Sequence, residues 1–585
     1  MTGLVGIVGE GSLAELRSMA DRMAYRGTHF TGWNPASQVF LGELAAVPDT
    51  RIAQGPLALD STGTLYPRRD SGTDDADPRA RLERSLRIDI DAALLELRGN
   101  FSLAYWDEHD RSLVLACDRH CYKTLYFVEL PGRVAFASDY KALLALEDCP
   151  AVVDRDTLQT YLLTLECPDD RSLLQHIRPL AASRVLRIGR GPLQPRRYWT
   201  RHRGDHGLDF DAAARELRRR LEAVIADMTA GHDRIGITLS GGLDSAALLG
   251  LVRKVRPELH VASYTIGHGP TDPEIIGAQE AASHFGTEHH PNYFSLAKLP
   301  ELLPSFVWLT EDLMGREETL LQQVITREVA QRERAFMAGN GADLDFCGMP
   351  RHRLLWLRDK VPRPLRPALE ELFVYTQVKT PPRSLLGRAL VAMAFPTDRP
   401  EAPRVLDSAS TQVQHDYTTL ANYQRDTMAD KPFCYHEPLD AACRLSMLAP
   451  FSAPEILDFA LNCPVEQMID RRQQKRVLRA AVADLLPPAL TNRPKATQRL
   501  RHDWNLSDAV DTLARSLDLD TALHARGIVA RGYVSRLRSR ASGTAYSQAR
   551  LHTLWPLICA EIWFRQFVDR RGAPQTDVAG ETYKF

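Results

Sequence analysis

Apolar and polar positions change rhythm once along this chain, near residue 203. Before that point, short apolar runs are punctuated by turn residues. Leu4–Val8 closes on Gly9, Phe101–Trp106 and Ser112–Cys117 flank the polar stretch Asp107–Arg111, and Thr124–Val128 and Val134–Ala137 flank Pro131-Gly132. Such runs, bounded by Gly, Pro and Asp, predict strands paired as hairpins and hence antiparallel layers. Two helical stretches interrupt them, around Leu13–Tyr25 and Ile88–Leu97. Residues 60–85 are rich in Asp, Arg, Gly and Pro and read as a flexible surface loop.

A soft polar segment, Tyr198–Gly207, separates this from a different texture. Phe210–Thr229 carries Leu217, Leu221, Val224 and Ile225 at helical spacing. Then come the apolar strand Arg234–Leu239, helix Ala246–Val255, strand His260–Ile266, helices Pro273–Phe285 and Thr319–Arg332, and the short strand Ala335–Ala338. Strands alternating with helices predict a parallel, doubly wound sheet. The last third reads as mainly helical. The expected architecture is α/β, with a β-layered domain at 1–203 and a parallel-sheet domain at 204–585 that carries a helical insertion at about 350–435.

Composition narrows the function classes. At 585 residues, with 44% hydrophobic and 25% charged, the chain is neither disordered nor collagen-like. Lys and Arg number 73 against 74 Asp and Glu, so no global basic footprint for nucleic acid exists. Nine cysteines without C-x-x-C spacing argue against a zinc ribbon or a disulfide framework and for reduced thiols. No run approaches the ~18 apolar residues of a membrane span, and the N-terminus lacks a positively charged secretory start. A cytoplasmic protein is expected.

The strongest chemical feature is Leu239-Ser-Gly-Gly-Leu-Asp-Ser245, between a buried strand and a helix. Gly241 and Gly242 let the backbone approach an anion closely. Turn and helix N–H groups then point at that anion, and Ser240 and Ser245 add hydroxyl donors. Asp244 would repel a phosphate directly, but it suits Mg²⁺ that bridges to phosphate oxygens. The loop is not a Walker loop, because no Lys-Ser/Thr pair follows the glycines.

The S-G-G-x-D-S string resembles the pyrophosphate loop of ATP pyrophosphatases, which cleave ATP between the α- and β-phosphates and adenylate a substrate. The resemblance extends along nearly the whole chain to the asparagine synthetase superfamily. Gly3–Gly9, Arg26-Gly27, Asp118-Arg119, Leu125-Tyr126 and Ala137–Lys141 are similar to its glutaminase-type domain. Ser263–Gly267, Gly286–His290, Ala338-Gly-Asn-Gly-Ala-Asp343, Pro450-Phe451, Lys475–Arg479 and Asn492-Arg-Pro-Lys495 are similar to its synthetase part. The resemblance implies a degenerate Ntn-type domain followed by an adenine-nucleotide α-hydrolase sheet with a helical tail. It implies ATP and Mg²⁺ as cofactors, Asp244 and Asp343 as metal ligands, and adenine near Leu239, Ile266, Ala338 and Gly339. It also implies that Lys495 stabilises charge at the reacting carbonyl and phosphate.

The departures matter as much. Glutamine-using members have a cysteine after the initiator Met; here Thr2 stands there. Their N-G-E string is missing too, since residues 60–66 read Asp-Ser-Thr-Gly-Thr-Leu-Tyr. The ammonia-producing site is therefore expected to be dead, so the nucleophile should be an amine on the substrate itself. Asn340 occupies the second-loop position that holds Glu in asparagine synthetase and Tyr in β-lactam synthetases, and an amide cannot be a base. His436 and Glu437, in Cys434-Tyr-His-Glu-Pro-Leu439, become the candidate general bases. Arg351, Arg353, Arg358, Lys360, Arg363 and Arg366 open the insertion and read either as a solvated face or as a surface for a peptide or partner.

The expected function is that of a lasso-peptide macrolactam cyclase. It would adenylate an Asp or Glu side chain of a precursor peptide and work beside a leader peptidase and a leader-binding protein. The rivals are a β-lactam-type small-molecule synthetase, asparagine synthetase itself, and a non-catalytic ATP- or partner-binding scaffold.

Overall fold

A computed structural model describes residues 2–47, 55–62, 65, 77–165, 167–168, 170–189, 191–200, 202–313, 318–378, 384–394, 436–491, 493, 504–539 and 548–573. Among the described residues, eleven strands build the first part: β1 (Thr2–Gly9), β2 (His29–Ala36), β3 (Val39–Ala45), β4 (Leu57–Thr62), β5 (Asn100–Asp107), β6 (Ser112–Cys117), β7 (Tyr126–Leu130), β8 (Arg133–Ala137), β9 (Ile177–Pro179), β10 (Arg184–Ile188) and β11 (Arg196–Arg197). They form two antiparallel sheets, ordered β2-β3-β1-β8-β7-β9 and β11-β10-β6-β5-β4.

The sheets stack face to face with helices outside, and the strand sequences show why. Leu4 of β1 points into the inter-sheet core with Phe136, Trp106 and Leu115, whereas Val5 and Ile7 point out to helix Leu13–Asp21. Likewise Ala104 and Trp106 of β5 face inward, while Phe101, Leu103 and Tyr105 meet helices Pro78–Ile88 and Ile90–Glu96. Alternate residues take opposite faces, and both faces are covered. That is why these strands read as continuous apolar runs.

The surface-loop expectation for residues 60–85 is corrected in part. Asp60–Thr62 completes β4, and Pro78–Ile88 is a helix; positions 63–64 and 66–76 lie outside the described residues. The helix signal was present in the sequence. Asp77 accepts from the Arg79 N–H as N-cap, Pro78 sits at the first helical position, and Leu82 and Leu86 form the buried i, i+4 pair. The hairpin of β2 and β3 and helix Leu299–Thr310 also went unanticipated.

The second part holds β12 (Arg234–Thr238), β13 (His260–Gly267), β14 (Glu288–Tyr293), β15 (Ala335–Met337) and β16 (Ser446–Leu448), all parallel, in the order β14-β13-β12-β15-β16. Helix Phe210–Thr229, capped by Asp209, packs on one face with helices Leu243–Val255 and Pro454–Asn462. Its Leu217, Leu221 and Ile225 are fully buried, each worth ~1.5–3 kcal/mol of burial. Helices Leu299–Thr310, Glu318–Ala330 and Gln548–Trp563 cover the other face. The strand order reverses between β12 and β15, so their carboxyl ends diverge into a crevice, the place where such sheets bind ligands. In the insertion, Pro350–Lys360, Arg366–Val378 and Leu385–Ala394 are helical. There Arg358 pairs with Glu370 and Asp359, which neutralises its share of the basic cluster, while Arg353 donates to the Arg471 carbonyl. No helix among the described residues is long and apolar enough to cross a membrane.

A buried ionic seam joins the two parts. Arg26, 1% exposed, donates to both oxygens of Glu437 at 2.7 and 2.8 Å and also to Asp139. Lys123 reaches Glu437 at 2.8 Å and Asp60 at 3.1 Å. The Tyr122 hydroxyl donates to Asp440. Glu311 accepts from the Tyr140 and Lys141 N–H groups at 2.8 and 2.6 Å. Burial outweighs the Lys141 charge and pushes Glu311 up from 4.5 to about 7. The folded protein therefore holds a proton that the unfolded chain releases. This contribution is complete below pH ~4.5 and is lost as pH rises toward 7. Glu311→Gln should flatten the fall in urea midpoint between pH 5 and pH 7.5; an unchanged slope would assign it to another group.

Candidate active site

The Leu239–Ser245 loop turns off the carboxyl end of β12 into helix Leu243–Val255. Gly241 has φ +65°, and a Cβ there would lie 2.5 Å from the Gly277 backbone, so both conformation and space demand glycine. Ser240 and Ser245 close the loop on itself: Ser245 Oγ accepts from Ser240 N at 3.2 Å, and the two hydroxyls are 3.2 Å apart. Gly242, the N-cap, has no side chain to satisfy the first N–H groups, which leaves the helix N-terminus to an anion.

The second loop, Ala338–Asp343, follows β15 and meets the first. A Cβ on Gly339 would sit 3.1 Å from Asp244 Cβ, so the bare glycine lets the loops touch. Ala338 N donates to the Leu448 carbonyl. Ile266 and Ala338 pack in one core and Leu239 in the core across the sheet. What these positions offer a purine in common is thus backbone and strand ends rather than one shared apolar wall.

Asp244 and Asp343, from different loops, converge on one cation. Lys475 Nζ donates to Asp244 Oδ1 at 2.6 Å and lies 2.6 Å from Asp343 Oδ1. Burial works against the ammonium, but the two carboxylates outweigh it and hold its pKa above the usual lysine value. Two carboxylates sharing a single cation form a donor set suited to Mg²⁺, which takes one or two carboxylates and fills its remaining positions with phosphate and water. Sequence reasoning gave Lys475 no role. No local signal marks it: Lys475 is the N-cap of helix Arg476–Ala481, in a left-handed conformation, and the fold alone brings it to Asp244, whose charge reaches Arg479 as well.

The remaining predicted residues divide. Lys495 lies outside the described residues. Arg493, two positions earlier, bonds Glu280 at 2.8 Å and crowds Gly277, whose backbone touches Gly241. His436 is 5% exposed, and its Nε2 lies 3.3 Å from the Asn340 amide nitrogen. Burial pushes its imidazole down to about 4, so the ring is neutral. Glu437 faces the other way, into the seam. Burial pushes its carboxyl up, but Arg26 and Lys123 outweigh this and hold it below its ordinary value. With both oxygens committed to Arg26, it does not fit the role of base. At the glutaminase-type position, the Thr2 hydroxyl donates to Asp60 at 2.8 Å, and Asp60 is itself paired with Lys123.

A doubly wound sheet with a pyrophosphate-type loop at its switch point, joined to a two-layered antiparallel amidotransferase sandwich, defines an ATP-dependent amide-forming ligase. Residues 216–565 match the family described as Asparagine synthase, and residues 89–199 match the Glutamine amidotransferase domain. The chain belongs to the asparagine synthase family. It is 26% identical to a putative glutamine-hydrolysing asparagine synthetase of Mycobacterium tuberculosis, over 82% of this chain and 78% of that one. It is 23% identical to glutamine-hydrolysing asparagine synthetase 3 of Bacillus subtilis, covering 86% and 88%. It is also 26% identical to the carboxyethyl-arginine β-lactam-synthase of Streptomyces clavuligerus, covering 77% and 74%.

Proposed function

We propose that this ligase is a lasso-peptide cyclase. The observation that carries the reading is a contrast: the two nucleotide loops converge on one cation site, while Thr2 is bound to the ion-paired Asp60 where a glutaminase nucleophile would stand. An amide-forming site without its own ammonia takes its amine from the substrate. A side-chain carboxylate of a precursor peptide attacks the α-phosphorus of ATP, and pyrophosphate leaves along the Ser240–Ser245 loop. The peptide's freed α-amine then attacks the acyl carbon, AMP departs, and the amine proton passes to a base. Mg²⁺ held by Asp244 and Asp343 would neutralise phosphate charge. Lys475, displaced from the carboxylates, would then be free to meet the departing pyrophosphate. Holding a folded-back peptide removes most of the entropic barrier to ring closure. A leader peptidase and a leader-binding protein would supply the substrate.

The test is mass spectrometry of cells that co-express the chain with its neighbouring genes, against an Asp244→Ala control. A short peptide lighter by one water only with the intact chain supports the reading. AMP and pyrophosphate without such a peptide would shift it to a small-molecule lactam synthetase, the second reading, favoured by the likeness to the β-lactam synthase.

In this scheme His436, oriented by Asn340, takes the amine proton. His436→Gln should lower amide formation ~10²-fold and leave ATP–pyrophosphate exchange intact, because adenylation releases no amine proton. Equal losses in both half-reactions would remove His436 from this role.

A further inference from the structure

Lys475 is aimed by an unusual backbone. It has φ 57° and ψ 35°, in the left-handed region that residues with a Cβ seldom adopt. In that conformation the Cα–Cβ bond leaves the chain in a different direction than from a right-handed residue, so the conformation decides where the ammonium goes. It does little for the helix Arg476–Ala481 that follows. Lys475 makes no side-chain capping bond there, and Gly or Asn would serve a left-handed N-cap better. A residue held this way persists only where its surroundings fix it.

Gln474 supplies the first support. Its Nε2 donates to the Cys347 carbonyl at 2.6 Å and to the Met349 carbonyl at 2.8 Å. Both hydrogens of one amide group are thus spent on the two carbonyls that flank Gly348. The Gly348 N–H in turn donates to the Asp343 carbonyl at 2.8 Å. Gln474 therefore ties the root of Lys475 to the stretch of chain that carries Asp343. Its own carbonyl accepts from Arg479 Nε at 3.0 Å, and it pairs with Ile469 in an antiparallel bridge.

Gly348 supplies the second support by lacking a side chain. A Cβ there would overlap both Lys475 Cε and Asp343 Oδ1. The lysine stem crosses the bare glycine, and its ammonium lies 2.6 Å from Asp343 Oδ1 and 2.6 Å from Asp244 Oδ1. The turn is shaped for this crossing, since Cys347 is left-handed too, at φ 59°.

We propose that Gln474 is a positioning residue for the adenylation half-reaction: with Gly348 left bare, its two carbonyl bonds set the root of Lys475 so that the ammonium serves the pyrophosphate end of ATP. This deepens the ligase reading. It rests on the pyrophosphate-loop assignment and is independent of which carboxylate and amine are joined.

The probes are inorganic pyrophosphate with Mg²⁺ and, separately, AMP, each titrated into the full chain by calorimetry. Lys475→Met sets the scale and should weaken pyrophosphate about 30-fold, within the worth of one hydrogen bond between charged groups. Gln474→Met keeps the side chain's length and removes the amide. It should weaken pyrophosphate about tenfold, the low end of the same range, and leave AMP affinity unchanged. Gly348→Ala should reproduce this split by displacing the stem instead of the root. The decisive variant is Gln474→Met/Lys475→Met. It should bind pyrophosphate within about twofold of Lys475→Met alone, because a residue that acts only through the lysine has nothing left to position. AMP and pyrophosphate weakened alike, as a merely structural role would give, overturns the proposal. So does a Gln474→Met chain that binds pyrophosphate like the unaltered one, or a double variant that shows the full product of the two losses. If the unaltered chain binds AMP but no pyrophosphate, the pyrophosphate-loop assignment itself falls, and this inference with it.

Discussion

Asp244→Ala is expected to abolish ATP-dependent product formation, lowering both pyrophosphate exchange and AMP release by at least ~10³-fold. Removing one preorganised electrostatic contributor from an active site typically costs ~10²–10³ in rate. Asp244 makes two such contributions. It is one of the two carboxylates that converge on the cation position, and it holds Lys475 between the loops. Without it, Asp343 alone pairs with Lys475, and a divalent ion would lose one of its two proposed protein ligands. The fold should survive. The Asp244 side chain is 20% exposed, and its favourable placement at a helix N-terminus is worth under ~1 kcal/mol. The check is isotope exchange between pyrophosphate and ATP, with thermal melting as the folding control. Exchange within tenfold of wild type, in a protein that melts normally, would sink the pyrophosphate-loop assignment.

The two halves of this site differed in how legible they were in the sequence. Ser240–Ser245 could be read because one short string sits between an apolar strand and a helix, and glycine spacing, hydroxyls and carboxylate all lie within six residues. Asp343 was readable for the same reason. Lys475 was not, because its role arises from meeting two loops 231 and 132 positions away, and such a meeting leaves no local pattern. Glu437 shows the opposite failure. Its position roughly matches the base region of the relatives, yet its partners are Arg26 and Lys123, more than 300 positions earlier. The fold follows the same rule. Strands covered on both faces, such as β5 and β6, announce themselves as apolar runs. The edge strand β14 reads Glu-His-His-Pro-Asn-Tyr and offers no such signal. Helix Pro78–Ile88 was hidden by a charged composition that its cap and its leucine pair should have overridden.

The seam gives the amidotransferase sandwich a structural role. Its Arg26, Lys123 and Tyr122 hold the segment that begins at His436, and His436 stands beside the second nucleotide loop. This buried charge network thus ties the sandwich to the nucleotide loops.

Arg26→Met measures how much that network holds. It leaves Asp139 and Glu437 buried with only part of their compensation, Lys141 at 3.2 Å for the first and Lys123 at 2.8 Å for the second. Breaking a buried ion pair from one side typically costs ~3–5 kcal/mol, because the remaining charge cannot reach water. The expected result is a loss of that size in urea unfolding, with earlier proteolytic cleavage between residues 198 and 210, where the chain passes from sandwich to parallel sheet. The pH dependence should shift with it. Asp139 and Glu437 are held below their ordinary values by Arg26 and lysine charges that outweigh their burial, so they stabilise the fold above the unfolded carboxyl range and lose that contribution as pH falls. In Arg26→Met both carboxyls rise and the acid limb moves toward neutrality. The double variant Arg26→Met/Glu437→Gln removes one charge of each sign and should recover ~1–2 kcal/mol of the single-variant loss, a coupling typical of residues in direct contact. If the single substitution costs less than ~1 kcal/mol, or the double one costs the full sum, the two parts of the chain are held together by apolar packing and the seam charges are passengers.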